Sequence, residues 1–127
     1  MKIIPVAAVL AAFAILPVSE AMAVDGKKAF AKRCKSCHDI NFEKHRTGPN
    51  LAGIMGRKAG TTDFKKYKAL KDVDFVWDDA NMDGWIADSK KFQKANKGMF
   101  AKKNTTMSVK VKKAEERAAI IEYLKTK

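Results

Sequence analysis

Cys34-Lys35-Ser36-Cys37-His38 is the stretch from which the rest of this chain is read. Two thiols two residues apart, followed at once by an imidazole, match the C-x-x-C-H spacing of covalent haem attachment. Each thiol adds to one haem vinyl group to give a thioether. The adjoining His is then held beneath the iron as the proximal ligand. Two other chemistries use a C-x-x-C pair. A thioredoxin-type redox site wants a βαβ setting and has no use for the His. A structural zinc site needs a second pair of ligands, and the chain has no other cysteine.

Around that motif the chain divides in two. Lys2 supplies a short positive start, Ile3 to Leu16 is almost entirely apolar, Pro17 ends the run, and Ala21-Met22-Ala23 is an A-x-A cleavage site. This order is that of a secretory signal peptide over residues 1–23. The apolar run falls short of the ~20 residues that span a bilayer, although an uncleaved anchor is the competing reading. Residues 24–127 then form one domain, exported to the periplasm. A domain so small often needs a cofactor or staple to complete its core. A disulfide closing so short a loop would add little. A haem is the expected filling.

The formal charge is +12, and removing Lys2 and Glu20 leaves 25 basic against 13 acidic residues. Such an excess attracts acidic surfaces. Export argues against nucleic acid, and no aromatic residues interleave with the basic ones as a base-stacking platform would require. Acidic faces of proteins are the expected partners, with no stable membrane insertion and a monomeric carrier.

The pattern is all-α, with three main helices joined by long loops. Gly26 to Cys37 reads as a short helix, with Ala29, Phe30 and Arg33 on one face. Asp39 to Thr62, rich in Gly, Asn, Pro and Thr, reads as irregular loop with one helical turn at Leu51 to Gly56. Asp63 to Leu70 reads as another short helix. Asp78 and Asp79 open a longer helical stretch carrying Ala80, Trp85, Ile86 and Phe92. Ala95 to Val109 returns to loop. Lys113 to Lys125 gives the clearest helix, with Ala114, Arg117, Ala118, Ile121 and Leu124 as its stripe. Loops of this length need something to wrap, and a haem meets that need.

Beyond the haem motif, Thr47-Gly48-Pro49-Asn50-Leu51, Gly53 and Gly56-Arg57-Lys58-Ala59-Gly60 stand in order. With them, nearly all of residues 26–127 resembles the class I c-type cytochromes, the family of mitochondrial cytochrome c and its soluble bacterial relatives. The resemblance implies one haem c per chain, bound through Cys34 and Cys37. It implies that the Pro49 carbonyl accepts a hydrogen bond from His38, fixing its tautomer and basicity. It places Arg57 near a haem propionate and gives Tyr67 and Trp77 the role of propionate donors. Plain core packing is the other reading of those two aromatics. Gly26, Phe30, Tyr123 and Leu124 match positions where the first and last helices pack.

The sixth iron ligand decides what such a haem does. Met1 and Met22 belong to the leader, and Met55 and Met82 sit in stretches unlike a ligand loop. Met99 and Met107 both precede the last helix. Met107, in Thr105-Thr106-Met107-Ser108-Val109-Lys110, matches the family ligand, while Met99 falls where the bacterial relatives carry a lysine-rich insertion. A loop Met can also be mere filling. His45 is expected as a solvated loop residue, with bis-His ligation as its alternative. His/Met ligation leaves no site for oxygen or peroxide, which favours an electron carrier over an enzyme. The chain departs from the family at Trp85, where a Tyr usually contacts the Met; at Ser89, for a common Pro; and at Val109, for a frequent Phe.

Lysines cluster at 27, 28, 32 and 35, at 90 and 91, at 102 and 103, and at 110, 112 and 113. The resemblance rings the haem edge with these segments, and such a ring steers docking onto acidic partners. The expected function is transfer of single electrons between membrane redox complexes, from a quinol-oxidising cytochrome complex to a terminal oxidase or photosynthetic reaction centre. The alternative is a haem enzyme or sensor, such as a peroxidase, with a displaceable sixth ligand. The chain offers no distal His-Arg pair for it.

Overall fold

The computed structural model describes residues 23–41, 44–101 and 103–127. The expected signal peptide therefore lies outside the described residues, save Ala23. Among the described residues four α-helices form: α1 (Gly26–Arg33), α2 (Asp79–Ala87), α3 (Ser89–Ala95) and α4 (Ala114–Lys125), with a 3-10 turn at Lys97–Met99 between the last two. No strand occurs among the described residues, only an isolated antiparallel bridge between Lys58 and Val76. No helix among them is long and apolar enough to cross a membrane.

Helix α1 starts where the Asp25 carboxylate accepts from the Lys28 N–H. It lies against α4. Gly26 is obligatory at that contact, because a Cβ there would sit 2.3 Å from the Ala119 carbonyl oxygen and 2.9 Å from Tyr123 Cβ. Phe30 meets Tyr123 with ring centroids 5.5 Å apart, and Leu124 is buried beneath them. The first–last helix contact expected of Gly26, Phe30, Tyr123 and Leu124 is thus present.

The buried stripe of α4 differs from the expected one. Ala114 and Ala118 are exposed, while Glu116, Ile120, Ile121 and Leu124 are buried. The helix packs on both α1 and α2, which rotates its inner face toward Ile120. Glu116 is tolerated inside because Arg33 donates to both of its oxygens, at 2.8 and 3.2 Å. On the α2 side Arg117 pairs with Asp83 at 2.6 Å and donates to the Val111 and Lys112 carbonyls.

The expected single stretch after Asp78 is two helices. Asp88 is extended (φ −168°, ψ 100°), ending α2 and capping α3 by accepting from the Lys91 N–H. A short carboxylate that satisfies the next helix's first donors competes with helix continuation. Asp63 to Leu70 is a series of turns, not a helix. There the Thr62 hydroxyl meets the Tyr67 hydroxyl, and Asp63 is taken up by His45, so the caps a helix would need are spent on loop contacts. Leu51 to Arg57 makes two successive i+3 turns, at Ile54 and Arg57.

Candidate haem site

The haem motif continues directly from α1. The Phe30 carbonyl accepts from the Cys34 N–H at 2.8 Å, and the Cys34 carbonyl accepts from the N–H groups of Cys37 and His38 at 3.1 and 2.9 Å. One turn of chain therefore carries both thiols and the imidazole. Cys34 is buried and Cys37 exposed, and both are free thiols. Burial pushes the Cys34 thiol up to about 12, against the smaller pull of Arg33.

His38 is buried, and its Nδ1 lies 2.7 Å from the Pro49 carbonyl oxygen. A carbonyl can only accept, so Nδ1 carries the proton and Nε2 keeps its lone pair. Burial lowers the His38 pKa, outweighing the raising effect of the Pro49 bond, so the ring is held neutral. A neutral imidazole with one nitrogen oriented is the form that binds iron. Gly48 lies against the same ring: a Cβ there would come within 2.3 Å of His38 Cε1. The Gly48 N–H in turn donates to the Cys37 carbonyl at 2.8 Å, tying the Thr47–Leu51 loop to the motif.

Met107 is half-buried, and its sulfur accepts from the Trp85 indole N–H at 3.2 Å. Trp85 reaches it from α2 and is fixed in an aromatic cluster with Phe100, Trp77 and Phe92, at centroid separations of 5.7, 5.6 and 6.4 Å. Ser89, in place of the family's Pro, is buried and donates to the Trp85 carbonyl at 3.0 Å. Met99 ends the 3-10 turn and packs against the core, and no hydrogen bond reaches its sulfur among the described residues.

The remaining expected residues lie as follows. Trp77 is 3% exposed, yet no described residue bonds its indole N–H. The Tyr67 hydroxyl contacts Thr62 Oγ1 at 2.5 Å, and burial holds its phenol above the usual range, keeping it a donor. Arg57 is exposed and makes no ion pair among the described residues. His45 departs from its expected solvated state. Its Nδ1 accepts from the Asn50 N–H at 2.9 Å and its Nε2 donates to Asp63, so it bridges two loops. Both ring nitrogens are thereby occupied as a brace. Val109 is half-buried against the core.

Two residues at this site escape sequence reasoning. Gln93 and Thr105 are both buried and bonded to each other across the Met107 loop. Gln93 sits in Lys90-Lys91-Phe92-Gln93-Lys94, which reads as a solvated basic face. The available signal was its spacing of four from Ser89 and eight from Trp85, one helical stripe.

The residues fit a covalent haem. Two free thiols, a neutral oriented His and a held thioether sulfur form the donor set that such iron takes. Comparison with known proteins agrees. The cytochrome c family model matches residues 23–127. A cytochrome c of Theileria annulata is 35% identical over 109 residues, covering 85% of this chain and 88% of its own length. The structure of cytochrome cH from Methylobacterium extorquens is 38% identical with a TM-score of 0.64, covering 83% of this chain and 98% of that one. Cytochrome c2 from Rhodospirillum centenum is 31% identical with a TM-score of 0.69, covering 80% and 93%.

Proposed function

The chain belongs to the cytochrome c family, which implies a covalently bound haem c and electron transfer, and from that premise we propose that it is a diffusible single-electron carrier of the periplasm. Cys34 and Cys37 would hold one haem per chain, and His38 and Met107 would be the side chains that bind its iron. The observation that carries this reading is the Met107 sulfur seated on the Trp85 N–H. A sulfur held in that way is placed as a ligand would need to be, which loose filling would not require.

When bound, the haem supplies an iron that gains or loses one electron. The protein's part is to keep everything else still. Pro49 holds the His38 ring through Nδ1, and Gly48 leaves room for it. Trp85 holds the sulfur; because an indole can only donate, it draws electron density from sulfur and favours the reduced state. The apolar cluster around Trp77, Trp85 and Phe100 excludes water. Arg57, the Trp77 indole N–H and the Tyr67 hydroxyl would hold the propionates. Thr62 Oγ1 accepts from the Phe64 N–H, so its own hydrogen can go to Tyr67, leaving the phenolic hydrogen for a carboxylate.

Acidic faces of membrane redox complexes are the partners of this reading, a quinol-oxidising cytochrome complex on one side and a terminal oxidase or photosynthetic reaction centre on the other. Lys27, Lys28, Lys32, Lys35, Lys90, Lys91, Lys103, Lys112 and Lys113 are exposed and without ion pairs among the described residues; Lys110 pairs with Asp88 at 3.4 Å. Redox titration and carbon monoxide binding test the function together. A carrier titrates with one electron per chain, and its reduced form takes up no carbon monoxide at neutral pH. Rapid uptake would favour the peroxidase or sensor alternative.

A further inference from the structure

The segment between α3 and Met107 is tied down by one side chain. Gln93 Nε2 donates to the Lys103 carbonyl at 2.8 Å, and Gln93 Oε1 accepts from the Thr105 N–H at 2.9 Å. The two bonds span separations of 10 and 12 residues. They close the base of the basic excursion that carries the 3-10 turn. Thr105 passes the restraint on, since its Oγ1 accepts from the Met107 N–H at 3.1 Å. The sulfur of Met107 is held from α2 by Trp85, and its backbone from α3 by Gln93 through Thr105.

A half-open groove of about 630 Å³ lies between α3 and Phe100, Ala101, Asn104 and Thr105, with Gln93 in its lining. Two residues before Lys103 the returning arm has a tie of its own, where the Ala101 N–H donates to the Ala69 carbonyl at 3.1 Å. The base of the excursion has Gln93. A free loop of this length samples many end-to-end arrangements, and closing it at its base removes most of that freedom. Gln93 and Thr105 are each buried, so breaking either bond leaves a buried polar group without a partner.

We propose that Gln93 is a positioning residue for the sixth ligand: its amide clasps the Lys103 carbonyl and the Thr105 N–H, and this clasp keeps Met107 from being displaced. The proposal rests on the reading of Met107 as iron ligand. It assigns Gln93 no contact with the haem.

The test uses the holoprotein in its oxidised form, with imidazole as a competing ligand at neutral pH. In Gln93→Met, which keeps the volume and loses both bonds, imidazole binds about tenfold more tightly, equivalent to about 1.4 kcal/mol less Met107 ligation. Thr105→Val, which spares the clasp but removes Oγ1, gives a few-fold increase, and Thr105→Ser restores the original affinity. If Gln93→Met does not fold, Gln93→Glu decides: it keeps an acceptor for the Thr105 N–H but no donor for the Lys103 carbonyl, and unchanged imidazole affinity in it would overturn the proposal. Unchanged imidazole affinity in Gln93→Met, even with a lowered unfolding midpoint, would overturn the proposal, as would equal affinities in Thr105→Val and Thr105→Ser. Met107→Ala separates this from the underlying reading. Loss of the red Met–iron absorption band there, with Gln93→Met behaving as the parent, sinks the clasp alone; survival of the band sinks the ligand assignment.

Discussion

At His38 a single carbonyl oxygen and a single missing methyl group set the geometry of the ring. Pro49 fixes the tautomer, and Gly48 leaves the space the imidazole fills. Gly48→Ala would drive a carbon into His38 Cε1. The expected cost is ~1–3 kcal/mol of stability, as for other overpacked interiors, with a changed reduction potential because the ring must tilt. Thermal melts and potentiometry on the holoprotein check both. His45 braces the same loop from its far end. Its ring meets both the Asn50 N–H and the Asp63 carboxylate, so His45→Leu should cost ~1–2 kcal/mol by leaving the Asn50 N–H unpaired, measurable by denaturant unfolding. The haem motif is legible in sequence because its spacing alone brings its chemistry together, and the part played by Pro49 is legible through the family resemblance of Thr47 to Leu51. The work of His45 was not, because Asp63 lies 18 residues away and only the folded loops join them.

The α1–α4 contact carries most of what the helices contribute to holding the motif. Gly26→Val should separate the two helices, costing ~1–3 kcal/mol, and differential scanning calorimetry reads it directly. Arg33 and Glu116 add a pH dependence to the same contact. The Arg33 guanidinium holds the Glu116 carboxyl below its ordinary range, chiefly by direct hydrogen bonding. A carboxyl depressed in the folded state stabilises it above the unfolded pKa of about 4.3 and loses that contribution as pH falls through the folded value. The unfolding midpoint should therefore drop as pH falls below about 4, and Arg33→Met should remove that part of the drop. Hydrophobic spacing places α1 and α4 in the sequence, yet it misassigns the inner face of α4, since Ala114 and Ala118 share the period of the core without facing it. The division of α2 from α3 also escapes periodicity. Both halves are helical, and only the cap geometry of Asp88 separates them.

For the molecule as a whole, charge and closure are separate properties. An excess of 12 positive charges would speed encounter with the proposed acidic partners through long-range attraction that salt screens over ~10 Å at 0.1 M. Electron-transfer rates with a purified acidic partner complex should fall steeply between low and high ionic strength, and a flat profile would remove the steering role of the lysines. Composition makes that property visible at once. The closure of the iron proposed above is less visible, because it would depend on Met107 being held by Trp85, Gln93 and Thr105, residues that read separately as core aromatic, basic helix and loop. That closure is what separates a carrier from a haem enzyme. The most direct measurement is the absorption spectrum of the oxidised holoprotein and its Met107→Ala variant. A weak red band of Met–iron ligation is expected in the parent and its loss in the variant. A band that persists in Met107→Ala would contradict Met107 as the sixth ligand.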